Sequence, residues 1–430
     1  MKQVSDTDRV FLFLQGPHGP FFQGLAAMLQ NSGAKIWRVG FNAGDAFFWK
    51  NKASLIPYKG ARADWAEFFT TLLTEKSVTD IVLYGDTREI HAQAVQIARA
   101  KGLKIHIFEE GYLRPFWVTY ERDGSNGHSR LMDMKIPEMQ KALKGSDLDP
   151  PMPPSHWGDM RQHVFYGALY HWFVMFRNGK FANFRAHRAL TVTQEFRLYL
   201  RRFLRMPFHA IERRLATRRV RNGGFPYHLA LLQLEHDSSF QMHSPFSTMT
   251  EFLELVIENF AKAAPKHHHL VFKAHPLEDG RVPVRRQIRA LAKQYGILKR
   301  VHFVRGGKLA QLLNEARTAV TVNSTAGQQV LWRGIPLKIF GKAVYDQPEF
   351  ICNQSLSSFF KGAIRPDMMA YREYRRFLLE TSQVTGGFYS RSGRRQLLRH
   401  VVDMMLSPED PYDALASGTA APRQQLRSVK

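Results

Sequence analysis

The chain has 430 residues, of which 44% are hydrophobic and 23% are charged, the balance of a globular protein with about two to three domains. Its 61 lysines and arginines outnumber its 37 acidic residues, and the net charge of +24 predicts an anionic partner: nucleic acid, an anionic membrane surface or an acidic substrate. The single cysteine, Cys352, excludes an intramolecular disulfide and a cysteine-based metal site. The sequence contains neither a long apolar run typical of a membrane span nor a signal-peptide layout, so we expect a cytoplasmic protein.

The first 115 residues alternate short apolar runs with amphipathic stretches, which predicts a parallel sheet covered by helices. The predicted strands are 10–14, 35–41, 80–84 and 103–108. The predicted helices are 21–31, 63–75 and 88–101, the last of them closed by Gly102. We therefore expect a first Rossmann-like domain over residues 1–155.

A basic and aromatic segment separates this half from the next. Residues 140–155 are proline-rich and are interpreted as a linker or an ordered loop, and 156–220 is predicted to be a helical insertion. Between 197 and 219, arginines recur among leucines and phenylalanines, a pattern that favours a helix on an anionic membrane surface. The arginines assigned to membrane binding are Arg201, Arg202, Arg205 and Arg213. A solvated helical face between domains is the alternative, and RNA binding lacks a recognised signature.

After residue 220 the α/β pattern restarts. The predicted strands are 227–233, 270–273, 301–304, 319–322 and 336–340. The predicted helices are 246–263, 284–295, 309–316, one after Ser324, 366–381 and 393–406, with a frayed tail beyond Pro411. This predicts a second Rossmann-like domain over 221–365 and C-terminal helices with a tail over 366–430. Two Rossmann-like domains facing a cleft, followed by C-terminal helices, give an α/β, GT-B-like fold.

Polar residues follow two predicted strands of the second half. Ligands of open α/β sheets bind beyond the carboxyl ends of the strands, where a helix start offers free N–H groups. His275 is also a candidate catalytic residue, because a histidine can donate to a phosphate oxygen or protonate a leaving one. The residues assigned to binding a phosphate-bearing donor are Gln233, Asp237, Lys273, His275, Pro276, Asn323, Ser324 and Thr325. A nucleotide-sugar-dependent transferase is the first hypothesis. Simple strand termination at His275-Pro276 and a helix cap at Asn323-Ser324-Thr325 are the structural alternatives.

The first half offers a glycine-rich loop and a group of carboxylates. Gly16, His18 and Gly19 follow the first strand, where glycines let the backbone approach a ligand closely. Glu110 and Asp123 are candidates for a catalytic base or nucleophile at an anomeric carbon. Arg114 lies close to Glu110 in the sequence, so a structural ion pair followed by a polar turn is the alternative.

No pattern in the chain favours a bound metal or another cofactor. The three histidines of 267–269 cannot all share one face of a strand. The Asp-x-Asp pair that usually holds a metal with a nucleotide diphosphate is absent from the sequence. We therefore expect a metal-independent donor such as a sugar carried on a nucleoside monophosphate.

Several segments of the sequence together resemble the KpsS/LipB capsular polysaccharide proteins. The resemblance runs from about residue 10 to 412, and the segments 14–22 and 109–115 are the most specific. The matching segments are 14–22, 39–45, 109–115, 119–126, 232–237, 273–276, 323–327 and 386–389.

This resemblance implies a retaining β-Kdo transferase that adds the first Kdo from CMP-Kdo to a lysophosphatidylglycerol acceptor at the cytoplasmic face of the inner membrane. A KpsC-type transferase and the capsule export machinery would be its partners. Carried onto this chain, His275, Ser324 and Thr325 would hold the CMP phosphate, and Gln233 and Asp237 the nucleotide. Residues of the first domain would form the acceptor side, with Asp123 as the first choice of nucleophile and Glu110 as the second. Lys273 and Arg114 are alternative partners for the Kdo carboxylate.

A non-catalytic function is the alternative to the glycosyltransferase. A basic scaffold that docks on the membrane and helps to assemble the capsule export complex would also account for the net charge. Nothing in single residues separates Kdo from another keto-acid sugar activated by CMP.

Overall fold

The computed structural model describes residues 9–115, 117–144, 160–181, 183, 192–278 and 280–420. Contacts divide the chain into two compact units. The first comprises the described residues of 1–130, 137–188 and 375–430, and the second those of 131–136 and 189–374.

A seven-stranded sheet forms the first unit, with strand order β12-β6-β5-β4-β1-β2-β3. Its strands are β1 (Val10–Phe13), β2 (Lys35–Gly40), β3 (Leu55–Pro57), β4 (Asp80–Tyr84), β5 (Lys104–Glu110), β6 (Trp117–Arg122) and β12 (Gln383–Thr385). The strands from β5 to β3 are parallel, whereas β6 runs antiparallel to both β5 and β12.

Helices cover both faces of this sheet. They are α1 (Phe21–Asn31), α2 (Ala43–Phe47), α3 (Trp65–Glu75), α4 (Glu89–Ala100), α5 (Ile136–Leu143), α6 (Met160–Phe176), α15 (Arg391–Leu406) and α16 (Pro411–Ser417). In β1, Phe11 and Phe13 pack against residues of α1 and α15, and Leu12 packs against residues of α3 and α4. Every residue of β1 is therefore buried, as expected of a strand covered on both faces.

The second unit is built on a five-stranded sheet with order β11-β10-β7-β8-β9, and all its strands are parallel. The strands are β7 (Tyr227–Leu231), β8 (His269–Lys273), β9 (Val301–Val304), β10 (Ala316–Thr321) and β11 (Leu337–Ile339). The helices are α7 (Val192–Arg221), α8 (Ser238–His243), α9 (Met249–Ala263), α10 (Val284–Gln294), α11 (Ala310–Leu313), α12 (Gly327–Leu331), α13 (Leu356–Lys361) and α14 (Met368–Glu380), whose last turns belong to the first unit. Residues of α9, α10 and α13 pack with the sheet into one apolar core.

The predicted α/β class is confirmed, and two units, one with a mostly parallel and one with a fully parallel sheet, and C-terminal helices are the components of the predicted GT-B-like fold. Three strands were missed: β3, β6 and β12. Each is short or carries buried polar residues, such as Glu121 in β6 and Gln383 in β12, so its apolar pattern is weak. The prediction of a frayed tail after Pro411 is wrong for 411–417, because Asp410 caps α16 and Tyr412 is buried.

The segment 366–430, predicted as separate C-terminal helices, belongs to the first unit from residue 375 onward. The reason is β12, which pairs with β6 and brings α15 onto the sheet. Most of the proline-rich stretch lies outside the described residues, and α5 covers its first part. Among the described residues, no helix is both long and apolar enough to cross a membrane.

Candidate functional site

In the second unit, the strand order reverses between β7 and β10. The chain runs from β7 outward through β8 and β9, then returns to the other side of β7 with β10 and β11. Such a reversal opens a crevice at the carboxyl ends of the two strands, where ligands of open α/β sheets bind. Gln233 and Asn323 follow those two strand ends. The sequence therefore delivers both residues to the expected place.

Two hydrogen bonds join Gln233 to Asn323. The Gln233 side chain donates to Asn323 Oδ1 at 2.7 Å and accepts the Asn323 backbone N–H at 2.9 Å. Asn323 Nδ2 donates in turn to the Ser239 carbonyl at 2.9 Å. Both side chains are buried. The pair fixes the loops at the carboxyl ends of β7 and β10.

Lys273 and His275 lie at the end of the neighbouring strand, β8. Lys273 is buried, and burial together with the positive charge of Arg213 lowers its pKa to about 8. His275 Nδ1 accepts the Leu277 N–H at 3.1 Å, so the neutral ring carries its proton on Nε2. A histidine held in this tautomer can donate to a phosphate oxygen.

Arg213, predicted to bind a membrane, lies beside this site. A Cβ added to Gly307 would sit 2.8 Å from Arg213 Cδ, so only a glycine lets the arginine pack this closely. Gly307 follows β9 and has φ of +84°, a conformation that glycine adopts readily. Arg213 therefore adds its charge to the carboxyl ends of β8 and β9. The sequence could not separate it from the other arginines of α7, since its partner Gly307 lies 94 residues away in the chain.

Ser324 and Asp237 both make local hydrogen bonds within their loops. Ser324 Oγ accepts the Ala326 N–H at 3.2 Å, and the Ser324 carbonyl accepts Tyr345 Oη at 2.5 Å. Asp237 caps α8 by accepting the Ser239 N–H at 3.4 Å. Thr325 is half-buried next to the short helix α12. The helix cap considered for Asn323-Ser324-Thr325 is not found, because the N-cap of α12 is Ala326, which makes no side-chain capping hydrogen bond.

Two cations of this edge were missed from the sequence: Arg305 and Lys308 in the loop after β9. The rule that drew attention to Lys273 would have found them, because they also follow a predicted strand. Arg305 Nε lies 3.6 Å from the Glu212 carboxylate, which also pairs with Arg285. Lys308 therefore adds a positive charge to this edge, whereas Arg305 and Arg285 share the carboxylate of Glu212.

The first unit has its own reversal, between β1 and β4. Arg88, after β4, donates to Gln15 Oε1 at 2.7 Å, and Gln15 Nε2 donates to Tyr170 Oη at 3.0 Å. Tyr170 Oη also accepts from Asn42 at 2.6 Å and donates to Asp45 at 3.2 Å. Sequence reasoning missed this cluster, because Tyr170 comes from the helical insertion.

Asp45 of this cluster also forms a buried ion pair with Arg38. Arg38 and Asp45 approach to 3.4 Å, and both side chains are buried. Burial lowers the pKa of Arg38 and raises that of Asp45. The predicted loop residue His18 stacks on Tyr170, with ring centroids 4.3 Å apart.

The glycines of the same loop are needed for space or backbone conformation. A Cβ on Gly16 would lie 2.5 Å from the Phe22 ring, and Gly19 has φ of +113°. The stacking of His18 on Tyr170 places the loop 16–19 against the Tyr170 cluster at the carboxyl end of β1.

Glu110 and Asp123 lie at opposite edges of the first sheet, which corrects their predicted common position. Glu110 ends β5 at the carboxyl edge, whereas the Asp123 N–H donates to Ile105 at the start of β5, with a distance of 3.1 Å. The reason is β6, which runs antiparallel to β5 and returns the chain to the amino edge. Asp123 is therefore outside the crevice.

Glu110 is surrounded by groups suited to a reacting carboxylate. Its Oε1 accepts Tyr84 Oη and Tyr389 Oη, each at 3.4 Å. Burial lowers the pKa of the nearby His163, with opposing effects of the charges of Glu110 and Arg114. Arg114 Nε also donates to the Gly111 carbonyl at 3.3 Å. The charges of Glu110 and Arg114 thus act on the same histidine, and His163 and Tyr389 are additions that the sequence did not reveal.

The membrane-binding assignment is only partly described. The side chains of Arg201 and Arg202 lie outside the described residues, and Arg205 is exposed on α7. Further along the same helix, Phe208, Ile211 and Leu215 are exposed apolar residues.

Residues 79–389 match the model of the family described as "Capsule polysaccharide biosynthesis protein". The chain is 31% identical over 384 residues to the capsule polysaccharide export protein KpsS of Escherichia coli, covering 88% of this chain and 96% of that protein. It is 30% identical over 397 residues to the capsule polysaccharide modification protein LipB of Neisseria meningitidis serogroup A, covering 91% and 94%. The chain belongs to the KpsS/LipB family. The predicted resemblance is thereby confirmed.

Solved structures show a weaker likeness. A β-Kdo 2,4 transferase structure of Thermosulfurimonas dismutans KpsC aligns with a TM-score of 0.36 and 12% identity, over 81% of this chain and 91% of that one. The β-Kdo 2,7 transferase structure of the same KpsC aligns with a TM-score of 0.35 and 12% identity, over 86% and 99%.

Proposed function

We propose that this protein is a retaining glycosyltransferase that adds the first β-linked Kdo from CMP-Kdo to a lysophosphatidylglycerol acceptor, as a peripheral protein on the cytoplasmic face of the inner membrane. Membership of a capsule polysaccharide biosynthesis family supports this reading. The observation that carries it is the carboxyl edge of the second sheet, where Lys273 and His275 end β8 with the charge of Arg213 acting on Lys273, and Gln233 and Asn323 are hydrogen-bonded after β7 and β10. A KpsC-type transferase that extends the product and the capsule export machinery are the proposed partners.

The proposed donor carries two separated negative charges, the phosphodiester of CMP and the carboxylate of Kdo. A cationic edge complements both charges. Lys273, with a pKa of about 8, is mostly protonated at neutral pH, and His275 offers its Nε2 proton to a phosphate oxygen. A donor with a single phosphate needs no divalent cation to neutralise it.

Retention requires two displacements at the anomeric carbon. In the first, a carboxylate attacks that carbon, its bond to the phosphate oxygen breaks, and the electron pair leaves with CMP, stabilised by Lys273 and His275. In the second, an acceptor hydroxyl displaces the carboxylate and gives its proton to a base. We propose Glu110 for the carboxylate in place of Asp123, because Glu110 lies at the carboxyl edge of its sheet and Asp123 lies at the opposite edge.

The test is mass spectrometry of a reaction between the purified protein, CMP-Kdo generated in situ and a fluorescent lysophosphatidylglycerol. A product heavier by one Kdo supports donor, acceptor and reaction together. No product from folded protein, with CMP-sialic acid tried alongside, favours the non-catalytic scaffold instead.

A further inference from the structure

A basic groove lies on the second unit, formed by the last turns of α7, the loop after β9 and the start of α11. Its volume is about 590 Å³, enough for a small ligand. Arg213, Arg214, Arg218, Arg221 and Lys308 line the groove, and Gly307 lies among them.

The charge of this groove is not compensated by its own lining. Five of the lining residues are arginine or lysine, and none is a carboxylate. A second groove on the same unit is different. It contains Glu278, and its Arg285 and Arg305 both pair with Glu212. Cations gathered without carboxylates repel one another, so an anionic ligand in the basic groove would relieve a local electrostatic cost.

Favourable interaction with the helix dipole explains only part of this arrangement. Cations near the last turn of a helix are stabilised by the partial negative charge there. Lys308, however, reaches the groove from the loop after β9. Arginine in particular binds phosphate, because its planar guanidinium can donate two parallel hydrogen bonds.

An apolar stripe runs beside the groove on α7. Phe208, Ile211 and Leu215 are 72%, 58% and 60% exposed. Arg214, Arg218 and Arg221 share the neighbouring face, about a quarter turn around the helix at 3.6 residues per turn. Exposed apolar residues next to a row of arginines are typical of a helix at a lipid headgroup layer.

We propose that this basic groove, which shares Arg213 and Lys308 with the cationic edge beside Lys273, is a binding site for clustered phosphate groups. The apolar stripe makes lipid headgroups the favoured source of those phosphates, and a soluble phosphate compound is the other source. The binding requires neither CMP-Kdo nor sugar transfer, so the site can be tested whether or not the proposed function holds.

The experiment compares Arg214→Gln/Arg218→Gln with Lys361→Gln/Arg365→Gln, a control that removes two exposed charges from the same unit. Binding of the full chain is measured to vesicles of phosphatidylglycerol and phosphatidylcholine in equal parts, and to inorganic pyrophosphate by calorimetry. Circular dichroism and thermal melting establish that each variant is folded.

We expect the groove variant to lose about tenfold or more in vesicle affinity while the control stays near wild type. Loss of vesicle binding with no measurable pyrophosphate binding assigns the groove to lipid headgroups. Pyrophosphate binding that only the groove variant loses, with vesicle binding intact, supports a phosphate site filled from solution. Equal behaviour of the two variants in both assays overturns the proposal.

Discussion

Gln233 and Asn323 lie 90 residues apart in the chain, and two hydrogen bonds of 2.7 and 2.9 Å join them at the carboxyl ends of β7 and β10. The pair closes the point where the strand order of the second sheet reverses. Both side chains are buried, so removal of either leaves the other with polar atoms that have lost a partner.

We expect Gln233→Ala and Asn323→Ala each to lower the free energy of unfolding by about 1 to 3 kcal/mol. The double variant should lose less free energy of unfolding than the sum of the losses of the two single variants, because the second truncation removes atoms that the first has already left without their partner. Denaturant unfolding of the four proteins of this cycle measures the coupling. Additive losses would show that the two side chains act independently.

His275 allows a test that separates its chemistry from its place in the loop. Its Nδ1 accepts the Leu277 N–H, a bond that an asparagine at 275 can replace through its own side-chain oxygen. We expect His275→Asn to keep the melting temperature of the wild type and to lose about 10² to 10⁴-fold in transfer, because asparagine cannot supply the Nε2 proton.

His275→Ala serves as the comparison, since it removes both the loop contact and the proton. Transfer by His275→Asn close to the wild-type rate, with a loss only in His275→Ala, would reduce the histidine to a loop-forming residue.

Glu110 and Asp123 offer a matched pair of carboxylates. Glu110→Gln should abolish Kdo transfer if Glu110 is the nucleophile, whereas Asp123→Asn should remain active because Asp123 lies at the opposite edge of the sheet. Asparagine also tolerates the positive φ of 66° found at Asp123, so this control should fold. The transfer assay by mass spectrometry measures both. An inactive Asp123→Asn beside an active Glu110→Gln would restore the assignment first predicted from the sequence.

The two carboxylates also show where sequence reasoning fails. Strand ends with strong apolar runs, such as those before Lys273 and Asn323, were predicted correctly, because a fully buried parallel strand leaves a clear signal. Strand β6 has a weak apolar signal, since Thr119 and Glu121 are buried polar residues. Because this strand was not predicted, Asp123 was assigned to the wrong edge of the sheet. Long-range packing was equally invisible: neither Tyr170 on Asp45 nor Arg213 on Gly307 has a local signature.

Acid should destabilise the protein through buried histidines. Burial lowers the pKa of His106 to about 4 and that of His228 to about 3, so both are neutral in the folded chain at pH 6. Unfolding exposes them to water, where the usual pKa is about 6.5. Between about pH 6.5 and 4 the unfolded chain therefore binds more protons, and each histidine lowers the free energy of unfolding as the pH falls, by up to about 1.4 kcal/mol per pH unit. Thermal melts over this range measure the slope, and a flat profile would contradict it.

The ionisation of Glu121 should make the folded protein less stable as the pH rises, the opposite of the effect of the buried histidines. Burial raises its pKa to about 7, even though Tyr112 at 2.5 Å, Tyr412 at 2.6 Å and Ser129 donate hydrogen bonds to it. A raised pKa means that the folded chain holds the proton between about pH 4.5 and 7 while the unfolded chain has lost it, so the stability from this group falls as the pH rises through that window.

Glu121→Gln cannot ionise and keeps an acceptor oxygen for the surrounding hydroxyls. We therefore expect the variant to match the wild type near pH 5 and to exceed its free energy of unfolding by up to about 3 kcal/mol at pH 8. Urea unfolding of both proteins at the two pH values measures the difference. A variant that is less stable than the wild type at pH 8 would show that the ionised carboxylate, held by its three hydroxyl donors, stabilises the junction of β6 with α16.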